Sequence, residues 1–245
     1  MLLGEPPRTQ GDLCFSLLGI PVRIHPMFWL MAFILGARNA TVPEILTWIA
    51  AVFISILIHE LGHAMVMRAH GYHPWITLYG MGGLASYGPG ATRNPTTLGQ
   101  ILISLAGPMA GFLLAALIVV CLVATGYLAQ FFPYGASWPW ITVHSVGSER
   151  FTDFLGNMLY ISIFWGLVNL LPIYPLDGGQ IAREIFLVFN SREGIRRSLI
   201  LSVFMSVVLV AMALSSQRWY MALLFGYLGY SGYQTLQAYS HGRQW

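Results

Sequence analysis

The chain has 245 residues, of which 56% are hydrophobic and only 9% are charged. Soluble domains carry about 25% charged residues, so this composition excludes an ordinary soluble protein and predicts an integral membrane protein. The formal net charge of +3 is small and dispersed, which argues against nucleic-acid binding, and the two cysteines suggest no disulfide framework.

Six apolar stretches predict about six transmembrane helices, since about 20 apolar residues are needed to cross a bilayer. We expect the first to be lengthened by apolar residues on its N-terminal side. The fold class is therefore an all-α integral membrane protein, with residues 1–245 forming a single transmembrane domain. In chain order the stretches are about Pro26–Gly36, Ile45–Met67, Leu98–Tyr127, Phe151–Leu171, Leu199–Leu214 and Trp219–Leu236.

The segment Tyr72–Asn94, between the second and third stretches, is too rich in glycine for a helix and too apolar for a solvated loop. Residues 75–79 and 84–87 flank a glycine-rich turn, and this pattern predicts a small membrane-associated β-hairpin. Backbone of this kind lies at membrane depth only where protein covers it or a wet cavity adjoins it. The alternative is a hairpin packed on the membrane surface.

Arginine counts predict the topology, because all twelve basic residues are Arg. With six crossings, nine arginines fall on one side and three on the other. The positive-inside rule then places both termini in the cytoplasm, in a cell inner or plasma membrane.

The most informative motif is His59-Glu60-Leu61-Gly62-His63, inside the second apolar stretch. Two imidazoles four residues apart share one helix face, which lets both reach a single zinc ion, and the intervening Glu60 can act as a general base. Ionisable side chains at membrane depth cost roughly 2.5–3.5 kcal/mol each on insertion scales. Something functional must offset that cost.

Two histidines do not complete a catalytic zinc site, which usually has three protein ligands. His70 would lie about 10 Å further along the same helix, so it cannot join the ion. Of the carboxylates, Asp177 is the best placed, because two prolines stop the preceding helix and two glycines permit turns. The alternative is an ordinary proline-ended helix with a solvated Asp-Gly turn.

These motifs resemble the site-2 protease family of intramembrane zinc metalloproteases. The resemblance implies that His59, His63 and Asp177 bind Zn²⁺, that Glu60 transfers protons and that Asn169 assists at the scissile carbonyl. It also implies that the hairpin receives substrate as an added strand. The segments that carry it are His59–His63 followed by Gly71, Asn169–Gly179, Val22–Pro26 and Ala106–Pro108.

The sequence departs from that family pattern in two respects. Gly111 stands where many members have Asn, which leaves the polar role of that Asn in doubt. The length leaves no room for a PDZ insertion or a pair of CBS domains, so we expect a minimal catalytic core.

The predicted function is a zinc-dependent intramembrane endopeptidase that hydrolyses peptide bonds in or near transmembrane segments. Its expected partners are a transmembrane protein or peptide substrate and the lipid bilayer, with no nucleic acid; the oligomeric state stays open. The alternative is a catalytically inactive zinc-binding membrane protein that binds substrate helices. A transporter would need polar groups along a route to both faces, and a bis-His haem protein would have no use for Glu60.

Overall fold

The computed structural model of the protein describes residues 5–37, 40–80, 82–88, 96–127, 129–131, 141–143 and 146–240. These residues form seven α-helices and six β-strands. In chain order the elements are β1 (Leu13–Leu17), β2 (Ile20–Ile24), α1 (Pro26–Gly36), α2 (Val42–Ala69), β3 (Pro74–Tyr79), β4 (Gly82–Tyr87), α3 (Thr97–Ala124), β5 (Ala129–Phe131), β6 (Ile141–Val143), α4 (Glu149–Asn169), α5 (Asp177–Phe189), α6 (Gly194–Ser215) and α7 (Trp219–Ser240).

Four of the described helices, α2, α3, α4 and α6, are long and apolar enough to cross a membrane. They correspond to four of the six predicted stretches. The helix α1 has 11 residues, about 16 Å at 1.5 Å per residue, which is short of a hydrocarbon core about 30 Å thick. Six crossings stay a prediction.

The expected N-terminal lengthening of the first apolar stretch is wrong, because the residues before Pro26 form β2. Pro26 occupies the first turn of α1, where its missing N–H is not needed, and His25 caps the helix by accepting a hydrogen bond from the Met27 amide at 3.2 Å. The chain therefore changes from strand to helix at one residue.

The described residues form two compact units, one within 5–93 and 106–167 and the other within 94–105 and 168–240. In the first unit, a four-stranded sheet has the order β1-β2-β3-β4. The strands β2 and β3 run parallel, and the other two pairs are antiparallel. The sheet is larger than the hairpin expected from the sequence; within that segment, Met81 and residues 89–94 lie outside the described part of the chain.

One face of this sheet is apolar and belongs to the core of the first unit, together with residues of α1 and α2. The opposite face carries Arg23 and Thr77, which are nevertheless buried. Arg23 contacts the carboxylates of Glu5 and Asp12 at 2.8 and 3.0 Å, and Thr77 donates to Glu5 at 2.6 Å. The segment 5–12 therefore covers the polar face of the sheet.

Both carboxylates of this covering segment are stabilised in their charged form. Burial alone would raise the pKa of Glu5, but hydrogen bonds from Thr77, Trp75 and Arg23 outweigh it and lower that pKa. Hydrogen bonding from Thr9, the largest contribution, holds the pKa of Asp12 at about 2. The segment is tied down by charge pairing as well as by backbone contacts.

In the second unit, α5, α6 and α7 pack in sequence. Small residues of α6 and α7 meet closely: a side chain at Gly229 would lie 2.8 Å from the Ser206 side chain, and one at Gly232 would lie 3.2 Å from the Ser202 hydroxyl. Small residues allow this close approach of helices in a membrane. The helix α5 was absent from the sequence-based prediction, because its 13 residues follow two prolines and are too few to span a bilayer.

Candidate metal centre

The histidines of α2 are arranged as the motif predicts. Their side chains are buried, and their Nε2 atoms lie 3.2 Å apart. Two nitrogens bound at about 2.0–2.1 Å to a tetrahedral zinc ion would be about 3.3–3.4 Å apart. The separation of the His59 and His63 nitrogens therefore fits two ligands of one tetrahedral ion.

Space for that ion is left by Gly107 of α3. A β-carbon added at Gly107 would collide with Nε2 of His63 and lie 2.7 Å from Nε2 of His59. It would therefore occupy the volume in front of both nitrogens. Because this volume adjoins both imidazole nitrogens and holds no side chain of residue 107, the site fits a metal ion.

The general-base candidate, Glu60, follows His59 on the same turn of α2 and is 5% exposed. The backbone of Gly83 in β4 lies directly against its side chain, so a β-carbon there would be 2.5 Å from Oε1 of Glu60. The two strands of the hairpin have different surroundings. The strand β3 lies between β2 and β4, whereas β4 lies next to the Glu60 side chain.

The helices α2 and α3 also meet closely at Gly62, one residue before His63. A side chain at Gly62 would collide with the carbonyl of Ala106 and approach the β-carbon of Ala110 at 2.7 Å. The glycine of the motif thus permits the two backbones to approach and brings Gly107 next to the imidazoles.

Asp177 is the first residue of α5 and is buried. His59 and His63 belong to the first of the two compact units and Asp177 to the second, so Asp177 as the third ligand stays a prediction. His70, which the spacing excluded, ends α2 with its ring Nδ1 2.8 Å from the Val66 carbonyl.

The segment before Asp177 is held by specific contacts. The Tyr174 amide donates to the buried hydroxyl of Ser202 in α6 at 2.8 Å, and the Leu176 amide donates to the Ile173 carbonyl at 2.8 Å. The side chain of Ile173 is completely buried. These contacts fix the backbone that leads into Asp177.

Two glycines follow Asp177, but the reason expected for them is wrong. Gly178 and Gly179 lie inside α5 rather than in a turn that requires a positive φ. A side chain at Gly178 would collide with the Leu170 carbonyl, and one at Gly179 would lie 2.5 Å from the Ile173 carbonyl carbon. The glycines are needed because the start of α5 packs directly on the backbone that precedes it.

The remaining predicted site residue, Asn169, is the last residue of α4 and is 8% exposed. The sequence-based reasoning missed Gly83 and Gly107 as site residues. Both lay in segments that it had singled out, one in the glycine-rich turn and one in Ala106-Gly107-Pro108. Their closeness to Glu60 and the imidazoles depends on long-range packing, so no local signal identified it.

The chain is similar to known proteins in both sequence and fold. The model of peptidase family M50 matches residues 47–214, which include the histidine motif and Asp177. A zinc metalloprotease of Methanocaldococcus jannaschii is 27% identical over 175 residues, covering 70% of this chain and 44% of that protein. A putative zinc metalloprotease of Synechocystis is 28% identical over 196 residues, covering 74% of this chain and 46% of that protein.

The putative zinc metalloprotease Rip3 of Mycobacterium tuberculosis is 28% identical over 163 residues, covering 63% of this chain and 36% of that protein. The chain thus spans less than half the length of these curated relatives. In fold, it is similar to the solved structure of a site-2 protease from M. jannaschii, with a TM-score of 0.58, 22% identity, and coverage of 92% of this chain and 95% of that one.

Proposed function

The chain belongs to peptidase family M50, the site-2 protease family, and on that premise we propose that it is a zinc-dependent endopeptidase that cleaves membrane protein substrates in or near their transmembrane segments. The observation that carries the proposal is the pair of imidazole nitrogens 3.2 Å apart, with Glu60 on the same turn of a 28-residue apolar helix. The protein is an integral membrane protein by its apolar helices and its family.

We assign the zinc ligands as His59, His63 and Asp177. The spacing of the two nitrogens and the space kept open by Gly107 support the two histidines, and the family match, which includes Asp177, supports the carboxylate. A bound zinc ion supplies Lewis-acid polarisation of a carbonyl and makes a neighbouring water more acidic. Two neutral imidazoles and one carboxylate leave a net positive charge on the site when the ion is present, which favours a polarised carbonyl oxygen.

Glu60 is the proposed proton carrier. It takes a proton from the attacking water and delivers it to the leaving nitrogen, as a general base and then a general acid. Its carboxylate is buried and lies against the backbone of Gly83, which restricts where the side chain can point. A restricted carboxylate next to the histidines suits a base that must stand at a fixed distance from its water.

Asn169 is proposed to donate its side-chain amide to the oxyanion that develops at the scissile carbonyl. Its burial at the end of α4 supports this role, because a hydrogen-bond donor in a site that excludes water stabilises charge more strongly than one in solvent. Loss of one such donor in other enzymes costs about 2.7–4 kcal/mol in the activation free energy.

The substrate must present an extended peptide, because a transmembrane helix hides its peptide bonds in its own hydrogen bonds. The strand β4 ends the order β1-β2-β3-β4 and borders Glu60. An unwound substrate segment can add to such a strand and regain backbone hydrogen bonds. We therefore expect helix-weakening residues near the cleaved bond to favour cleavage.

The further elements of the proposal concern the membrane. We propose six crossings, both termini in the cytoplasm and residence in an inner or plasma membrane, with residues 1–245 acting as one metalloprotease domain. An inactive substrate-binding protein is not favoured, since Glu60 and the three proposed ligands are all present.

The test is cleavage of a single-span substrate in proteoliposomes by the wild type and by Glu60→Gln. We expect the variant to keep its zinc and to lose at least about 100-fold in turnover, the usual contribution of a general base. Removal of zinc with a chelator should abolish wild-type cleavage, and added zinc should restore it. Wild-type turnover by Glu60→Gln, or cleavage that survives loss of the metal, would refute the proposal.

A further inference from the structure

Two glycines face the histidine motif from other elements, Gly83 from β4 and Gly107 from α3, and they approach different side chains. Gly83 lies against the acid, whereas Gly107 lies against the two imidazoles. Glycine and proline are the poorest helix formers, yet Gly107 and Pro108 stand together in the interior of α3. Helix propensity therefore does not explain why a glycine occupies position 107.

We propose that Gly107 is a positioning residue for the metal, which keeps the space for the ion open by having no β-carbon. The inference rests on the proposed function and deepens it by assigning a role to a residue that donates no ligand atom. The inference is based on the distances from an ideal β-carbon at position 107 to ring atoms of His63 and His59.

The geometry makes the β-carbon and the ion compete for one volume. The added carbon would collide with Nε2 of His63, stand 2.5 Å from its Cε1 and lie 2.7 Å from Nε2 of His59. Zinc is held at about 2.0–2.1 Å from imidazole nitrogens. A methyl group at residue 107 therefore fills the space that the ligands must leave for the ion, or it pushes the rings apart until they no longer converge.

Close helix packing is the rival explanation, because small residues are enriched where membrane helices meet. Gly62 fills that role at this crossing, since its own β-carbon would collide with the Ala106 carbonyl. Gly107 differs because its three nearest neighbours are all imidazole atoms rather than backbone. Substitution at position 107 should therefore act first on the metal.

The matched control is Gly111→Ala, one turn further along α3. A β-carbon at Gly111 would lie 3.2 Å from the Ser162 carbonyl oxygen of α4, so this variant crowds the same helix without reaching the imidazoles. Both variants add one methyl group to α3. A difference between them isolates the effect on the metal site.

The experiment measures zinc per chain and zinc affinity for the purified wild type, Gly107→Ala and Gly111→Ala, together with the rise in unfolding temperature on adding zinc. We expect zinc binding by Gly107→Ala to be weaker by about 10- to 100-fold, the range for residues that orient metal ligands. Its unfolding temperature should no longer respond to zinc, whereas Gly111→Ala should bind zinc as the wild type does. Wild-type affinity in Gly107→Ala, or an equal loss in Gly111→Ala, would overturn the inference.

A second pair of variants covers the case in which Gly107→Ala fails to fold. In a His59→Ala/His63→Ala background the methyl group at position 107 no longer meets a ring. We expect Gly107→Ala there to leave the unfolding temperature unchanged or raise it, because Ala forms helix better than Gly. A fall in unfolding temperature would place the clash elsewhere and refute the assignment.

The outcomes also separate this inference from the proposed function. A wild type that binds no zinc would overturn both. Equal zinc affinity and equal chelator-sensitive cleavage in the wild type and Gly107→Ala would overturn the inference alone.

Discussion

The contact between Gly83 and Glu60 allows a quantitative prediction for Gly83→Ala. The added β-carbon would collide with Cγ of Glu60 and stand 2.5 Å from its Oε1 and 2.6 Å from its Cδ, whereas ordinary van der Waals contact begins at 3.4 Å. The carboxylate must therefore move by about 0.9 Å or rotate away. Because all three crowded atoms belong to the Glu60 side chain rather than to backbone, we expect the fold to tolerate the substitution once that side chain turns.

We expect the substitution to lower the catalytic rate rather than the stability of the fold. A displacement of about 1 Å from the productive geometry can reduce the rate by about 100-fold. We therefore expect kcat of Gly83→Ala to fall by about that factor while zinc content stays at the wild-type value. The prediction contrasts with Gly107→Ala, which should lose the metal itself.

The assay is steady-state cleavage of a single-span substrate in proteoliposomes, with zinc measured on the same preparations. The control is Gly88→Ala, whose β-carbon would make an ordinary contact of 3.7 Å with the Trp75 ring. This control should keep kcat, zinc content and unfolding temperature close to the wild type.

Two results would contradict the reasoning. A Gly83→Ala enzyme with wild-type kcat would show that the position of the Glu60 carboxylate is not critical. A raised KM with unchanged kcat would instead assign Gly83 to substrate binding along β4.

The remaining predictions concern parts of the fold outside the metal ligands. Ser202→Ala leaves the partly buried Tyr174 amide without its acceptor and should lower the free energy of unfolding by about 1 kcal/mol, measured by denaturant unfolding; Ser206→Ala, which removes a bond within one helix, should cost less. The pKa of Asp12 is lowered from 3.8 to about 2, chiefly by Thr9. The folded state therefore gains stability above pH 4 that is lost as the pH falls towards 2, and Asp12→Asn should remove this part of the pH dependence of the unfolding temperature. If the unfolding temperatures of the wild type and Asp12→Asn changed equally with pH, this prediction would be wrong.

The local features of the chain could be predicted from the sequence, because they depend on short-range geometry. The spacing of His59 and His63 places both rings on one helix face in any α-helix, and the helix they occupy is apolar enough to be recognised by composition. Burial of charged and metal-binding side chains in such a helix is costly, so the motif indicated a function before any packing was known.

The N-terminal sheet could not be predicted, because it depends on pairing between distant segments. The strand β2 reads as an apolar extension of α1, but it pairs in parallel with β3, more than 50 residues later in the chain. Arg23 likewise reads as a topology marker, although it lies buried against Glu5 and Asp12 on the polar face of the sheet.

The sequence by itself determined the two imidazoles, the acid between them, the apolar helices and the proline-broken segment that carries Asp177. Only the tertiary structure decided which residues surround them. Gly83 and Gly107 have no side chain to indicate a role, and their importance lies in what a β-carbon would meet. Residue type and spacing report the groups that supply chemistry, whereas the space that chemistry needs is created by the close approach of elements far apart in the chain.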